Sequence, residues 1–127
     1  MKIQKSAEDY LEAMLMLQEM HGYIRSVDIA AQLEVTKPSV SYAAKRLREN
    51  GYITMDKDGL ITLTETGMEI AQRIYERHKV LTQLLISLGV GPETAREDAC
   101  KIEHDLSVAT FDVIRERTKR RLQRESE

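Results

Sequence analysis

The sequence predicts a mainly α-helical protein: a winged helix-turn-helix with a small β-hairpin wing over residues 1–64, then an all-helical domain over residues 65–127. Three observations predict it. Two helical patterns occupy Arg25 to Asn50, with only a brief turn at Glu34-Val35 between them. An Asp56-Lys57-Asp58-Gly59 turn between two alternating apolar runs follows at once and reads as a hairpin. Beyond Thr64 the apolar spacing is helical, broken at Gly89, at Gly91-Pro92 and at Ser107.

The elements follow in order. Leu11, Met14, Leu15 and Leu17 have the spacing of one helix face, so a helix is expected from Ala7 to His21, with Ser6 as its N-cap and Gly22 ending it. Ser26 is expected to cap a short helix carrying Ile29, Ala30 and Leu33, whose small pair Ala30-Ala31 allows a close helix crossing. A second helix opens at Thr36, where Val35 and Val40 take the two places of a hydrophobic staple and Pro38 suits a first turn that needs no amide hydrogen there. Val40, Ala43, Ala44 and Leu47 form its inner stripe. At 100° per residue this turns Pro38, Tyr42 and Lys45 outward, flanked by Ser41 and Arg46. The long helix runs from about Glu65 to Leu88, capped by Thr64 or Thr66. Pro92 to Asp105 makes the next, and Ser107 caps a last helix from Val108 to about Gln123.

Composition limits the function classes. At 127 residues the chain makes one domain or two small lobes, burying roughly two thirds of its unfolded surface. No apolar run approaches the roughly 20 residues needed to cross a bilayer. The start, Met1 to Tyr10, lacks the apolar core of a secretion signal, and a single cysteine forms no internal disulfide, so a cytoplasmic protein without membrane contact is expected. The net charge of −2 hides segregation. Thr36 to Arg48 holds Lys37, Lys45, Arg46 and Arg48 and no acid, and a second run of bases, Arg115 to Arg124, is read as a solvated face. Acids gather at Glu8 to Glu19 and at Glu93 to Asp105. Val80, Leu81, Leu84, Leu85, Leu88, Val90, Phe111 and Ile114 exceed what three helices bury, which predicts a homodimer.

Two constellations carry chemistry. Cys100, Glu103 and His104, three and four apart, leave one face if the helix continues through them, and thiolate, carboxylate and imidazole are donors for a divalent transition ion. Three donors seldom complete such a site, and Asp9, Glu12 and His78 are the best candidates for the rest. Asp9 also fits a capping-box partner of Ser6, and His78 alone also fits a packed or surface residue. The other constellation is the exposed helix face with Lys37, Pro38, Ser39, Ser41, Tyr42, Lys45 and Arg46, joined by Lys57 at the wing tip. Its bases, together with Lys57, suit phosphates, whereas Ser41 and Tyr42 are placed to meet base edges.

In this order, Glu8-Asp9-Tyr10-Leu11-Glu12, the winged helix-turn-helix, Arg77-His78 and Ile102-Glu103-His104-Asp105-Leu106-Ser107 resemble the manganese transport regulator and diphtheria toxin repressor family of metal-dependent transcriptional regulators. The resemblance spans essentially the whole chain. It implies a homodimer that binds an operator in double-stranded DNA when Mn²⁺ or Fe²⁺ is bound and represses metal-uptake genes, with Co²⁺ or Zn²⁺ able to substitute in vitro. Ending after the dimerisation helices, the chain looks like the two-domain manganese branch, without the SH3-like domain of the iron-type branch. In the manganese branch the matching ligands are Asp9, Glu12, His78, Glu103 and His104. The departure is at 100, where that branch has glutamate and this chain has Cys100, as the iron-type branch does. Conversely, the iron-type branch has methionine where this chain has Asp9. Cys100 can contribute its thiolate, its backbone carbonyl, or only a small buried side chain.

Two rivals compete. A di-metal carboxylate oxidase uses Glu-x-x-His motifs, and the chain has none, so an enzyme is not expected. A winged-helix repressor that responds to an organic ligand or to oxidation of Cys100 is the alternative.

Overall fold

The computed structural model describes residues 5–126. The order is α1 (Lys5–His21), β1 (Ile24–Arg25), α2 (Ser26–Leu33), α3 (Lys37–Glu49), β2 (Ile53–Met55), β3 (Leu60–Leu63), α4 (Glu65–Ser87), α5 (Pro92–Ile102) and α6 (Val108–Glu125). This is the mainly helical architecture, with a small wing, that the patterning predicts. By compactness the chain divides into Met1–Arg73 and Ile74–Glu127.

In the first unit, α1, α2 and α3 pack around Leu11, Met14, Ile29, Val40 and Leu47, each at most 4% exposed. Burying one such side chain contributes roughly 1.5–3 kcal/mol, so this small apolar cluster orients α3. Thr36 caps α3 as expected, its hydroxyl accepting from Ser39 N at 3.2 Å. The wing is a three-stranded antiparallel sheet in the order β1-β3-β2, with Ile53 opposite Leu63 and Met55 opposite Ile61. Ile53, Ile61 and Leu63 are buried while Thr54 and Thr62 face out. In the turn, Asp56 Oδ1 accepts from the amides of Asp58 and Leu60, both at 2.9 Å, and Gly59 takes a φ of 81°. The Glu8 carboxylate receives Arg73 at 3.2 Å, tying α1 to the start of α4.

In the second unit the later turns of α4 accompany α5 and α6 around Ile74, Leu81, Ala95, Ala99 and Phe111. Ser107 caps α6 as expected, accepting from Thr110 N at 3.1 Å. Arg121 donates to Ser87 Oγ and Ser87 O at 3.0 and 3.2 Å, placing a cation at the carbonyl end of α4. Of the expected apolar surplus, Leu81 and Phe111 are buried and Leu88 is 57% exposed, while Val108 and Val113, outside that set, are 65% and 60% exposed.

Several expectations are corrected. Ser6 is no N-cap, because the helix is already formed at Lys5, the first described residue. Ser26 lies inside α2, whose N-cap is Arg25, with no side-chain capping bond. Residues 24–25 form β1, paired with β3 and too short to leave a periodic signal. α5 ends at Ile102 rather than Asp105, and Glu103 is its C-cap.

Candidate functional site

The second unit gathers three of the expected metal donors. His78, about halfway along α4, is held in a cluster with Cys100 and Glu103, one ligand atom from each lying within 4.8 Å of the others. His78 Nδ1 is 3.1 Å from Glu103 Oε2 and 3.6 Å from Cys100 Sγ. The hydrogen bond to Cys100, then that to Glu103, and their negative charge push His78 up to about 10 against the opposing effect of burial. The neighbourhood thus favours a cation at this imidazole.

The Glu103 carboxylate is fully buried, and its Oε1 accepts no hydrogen bond from the described residues. His104 Nε2 stands 3.5 Å from Oε1, an electrostatic contact too long for a good hydrogen bond. A buried carboxylate oxygen in this state calls for a positive partner. Cys100 is exposed, so it is not the buried hydrophobe that a free cysteine often is. Sulfur, nitrogen and oxygen together suit a borderline-soft divalent ion. Because α5 stops at Ile102, His104 sits in the following turn rather than one helical turn above Cys100.

One residue of this site carries no ligand chemistry and enters the sequence reading only as the neighbour of His78 in the Arg77-His78 pair, with no role of its own. Arg77, only 6% exposed, donates to Glu103 O at 3.0 Å and to Leu106 O at 2.7 Å, and its guanidinium lies 5.1 Å from the Phe111 ring centre. It fixes the turn that presents Glu103. A signal existed: Arg77 interrupts the buried row Ala71, Ile74, Leu81, and a charge in such a row needs a partner.

In the first unit Asp9 is partly buried and Glu12 buried on α1. The other constellation is all on the surface: Lys37, Pro38, Ser39, Ser41, Tyr42, Lys45 and Arg46 line the exposed side of α3, and Lys57 the wing turn. Three of these side chains are engaged locally. Ser39 Oγ shares a hydrogen bond with Thr36 Oγ1 at 2.8 Å, and Arg46 Nη1 donates to Tyr42 Oη at 3.2 Å. Within the second run of bases, Arg115 is bound to Glu76 and Asp112 and Arg121 to Ser87, while Arg117, Lys119, Arg120 and Arg124 are exposed.

Comparison with known proteins gives a consistent picture. Residues 2–60 match the iron dependent repressor N-terminal DNA binding domain, and residues 64–123 the iron dependent repressor metal binding and dimerisation domain. The transcriptional regulator MntR of Escherichia coli O6:H1 is 41% identical over 108 residues, covering 85% of this chain and 70% of that protein. An uncharacterized HTH-type transcriptional regulator of Methanocaldococcus jannaschii is 39% identical over 117 residues, covering 91% of this chain and 90% of its own. Among solved structures, IdeR of T. acidophilum superposes with a TM-score of 0.78 at 27% identity, covering 92% of this chain and 55% of that one. A manganese-dependent transcriptional repressor in complex with manganese gives 0.81 at 25% identity, covering 89% and 52%. The chain spans about half the length of these solved structures.

Proposed function

This chain belongs to the iron dependent repressor family of metal-dependent transcriptional regulators, and from that premise we propose that it is a homodimeric, DNA-binding repressor whose affinity for its operator is set by a divalent metal ion. The observation that carries this reading is the convergence of His78, Cys100 and the fully buried Glu103 on one point. His78, Cys100 and Glu103 would hold the ion, with Asp9, Glu12 and His104 as further donors. Mn²⁺ or Fe²⁺ is the effector, and Cys100, where the manganese branch has glutamate, shifts preference toward the later metals. When bound, the ion supplies positive charge to a donor set otherwise held by a proton.

The chain's own residues do the rest. Arg77 holds the Glu103 turn in place, and Glu103 and Cys100 hold the His78 ring by its Nδ1. The exposed apolar side chains of the second unit, Leu88 just after α4 and Val108 and Val113 on α6, join two copies. Two copies present two α3 helices to a two-fold-related operator. Residues 1–64 are then the DNA-reading domain and 65–127 the metal-binding and dimerisation domain. Lys37, Lys45 and Lys57 neutralise phosphates, with Pro38, Ser39 and Ser41 at the groove.

The test is selection from a random duplex pool with Mn²⁺, with Fe²⁺ under anaerobic conditions, and with a chelator. Enrichment of one sequence with either ion and none with chelator is the expected result. Equal enrichment in chelator, abolished instead by peroxide, would replace metal control with oxidation of Cys100.

A further inference from the structure

On the exposed face of α3, Tyr42 and Arg46 stand one helical turn apart and are joined. Arg46 Nη1 is 3.2 Å from Tyr42 Oη, and its guanidinium carbon is 5.8 Å from the ring centre. Arginine has donors only, so the phenolic oxygen is the acceptor here. The phenolic hydrogen is therefore left to donate to another group, on a side chain that is 64% exposed. The remaining guanidinium N–H groups lie beside it. The pair thus offers the solvent several donors side by side, next to an oxygen one of whose lone pairs is already engaged.

We propose that Tyr42 and Arg46 form a single base-reading unit that selects guanine in the major groove, rather than a base contact and a separate phosphate contact. This rests on the DNA-binding reading above. The chemistry discriminates. Guanine shows two adjacent acceptors in the major groove, N7 and O6, matching two donors. Adenine puts an N6 amino donor beside its N7, and cytosine presents an N4 amino donor, so each sets a donor against the donor edge. Thymine offers O4 alone, next to a methyl group. Because the side chains are held to one another before DNA arrives, less rotamer freedom is lost on binding. Lysine at 46 would keep the charge and lose the planar fork, which separates this unit from a phosphate contact.

The experiment is selection from a random-sequence duplex pool in Mn²⁺ by the wild type, Tyr42→Phe, Arg46→Lys and the double variant, then titration of the enriched duplex and its single-base variants. Both positions are exposed, and unchanged helical circular dichroism verifies the fold. The wild type is expected to require guanine at one position of each half-site. Each single variant loses that preference by about tenfold at that same position, and the double variant loses little more than either. Replacing that guanine by 7-deazaguanine, which lacks the N7 acceptor, weakens the wild type and leaves Tyr42→Phe and Arg46→Lys nearly unaffected. If Arg46→Lys keeps the guanine preference, or the two single variants alter different base pairs, the unit does not exist and Arg46 is a phosphate contact. If the wild type retains no duplex under any metal, the DNA-binding reading itself fails, and this one with it.

Discussion

At the scale of single residues, His78 sets the electrostatics of the candidate metal centre. Its raised value, about 10, means that the metal-free protein carries a proton there at neutral pH. Since this lies above the ordinary 6.5, the protonated contact adds stability that is complete below about 6.5 and is lost as pH rises through about 10. The same proton competes with a metal ion. Binding near pH 7.5 should release about one proton from His78, seen as a calorimetric enthalpy that varies with buffer ionisation; an enthalpy independent of buffer would contradict the proton-held cluster. A second residue-scale prediction concerns Glu34, whose φ of 56° is left-handed and costs a non-glycine residue roughly 1–2 kcal/mol. Part of the relief is offset by the freedom glycine gains in the unfolded chain, so Glu34→Gly should stabilise by about 0.5–1 kcal/mol, read from a urea midpoint. A lower midpoint would show that the Glu34 side chain contributes more than its backbone costs. The donor types at 78, 100 and 103 were legible in the sequence because chemistry is written in residue identity. The contacts of Arg77 and the Tyr42–Arg46 contact were not, because long side chains reach partners that helical spacing permits but does not dictate.

At the scale of elements, capping decides most boundaries, and it also explains the misreadings. Thr36, Thr64 and Ser107 each accept from the amide three residues on, and each stands just before its helix. Ser6 and Ser26 have the same chemistry, yet helix already surrounds the first and the second opens its helix without a capping bond. A serine near an expected helix start is thus permitted but not obliged to cap. The strand β1 was invisible because its two residues are ordered by pairing with Ile61 and Leu60, a tertiary cause that no local window contains. The junction of wing and α4 makes a sharper prediction. Thr64 Oγ1 accepts from Gly67 N at 3.2 Å and donates to Gly51 O at 2.7 Å, while Thr64 N donates to Tyr52 O at 3.0 Å. A methyl group on Gly67 would run into that Tyr52 carbonyl oxygen. Gly67→Ala should therefore destabilise by about 2–3 kcal/mol in denaturant unfolding, with the wing loosened against α4. Unchanged stability would mean that the backbone there yields easily.

At the scale of the whole molecule, two kinds of surface need partners: the donor-rich face of α3, with no acid from Lys37 to Arg48 and Glu49 at its end, and the exposed apolar side chains Leu88, just after α4, and Val108 and Val113 on α6. The first was legible before the fold as a charge pattern; of the second only Leu88 belonged to the expected apolar surplus, since Leu81 and Phe111 of that set lie in the core. The central claim is that occupancy of the cluster at His78, Cys100 and Glu103 is coupled to occupancy of the α3 face by DNA. Coupling of this kind is reciprocal: whatever factor the metal adds to DNA affinity, DNA must add to metal affinity. The most direct measurement is the Mn²⁺ dissociation constant of the protein with and without a saturating amount of its selected duplex, repeated with Glu103→Gln. The account predicts that the duplex tightens Mn²⁺ binding by about 5–150-fold, and by the same factor that Mn²⁺ tightens duplex binding, with the effect lost in Glu103→Gln. Equal Mn²⁺ constants with and without the duplex would contradict it.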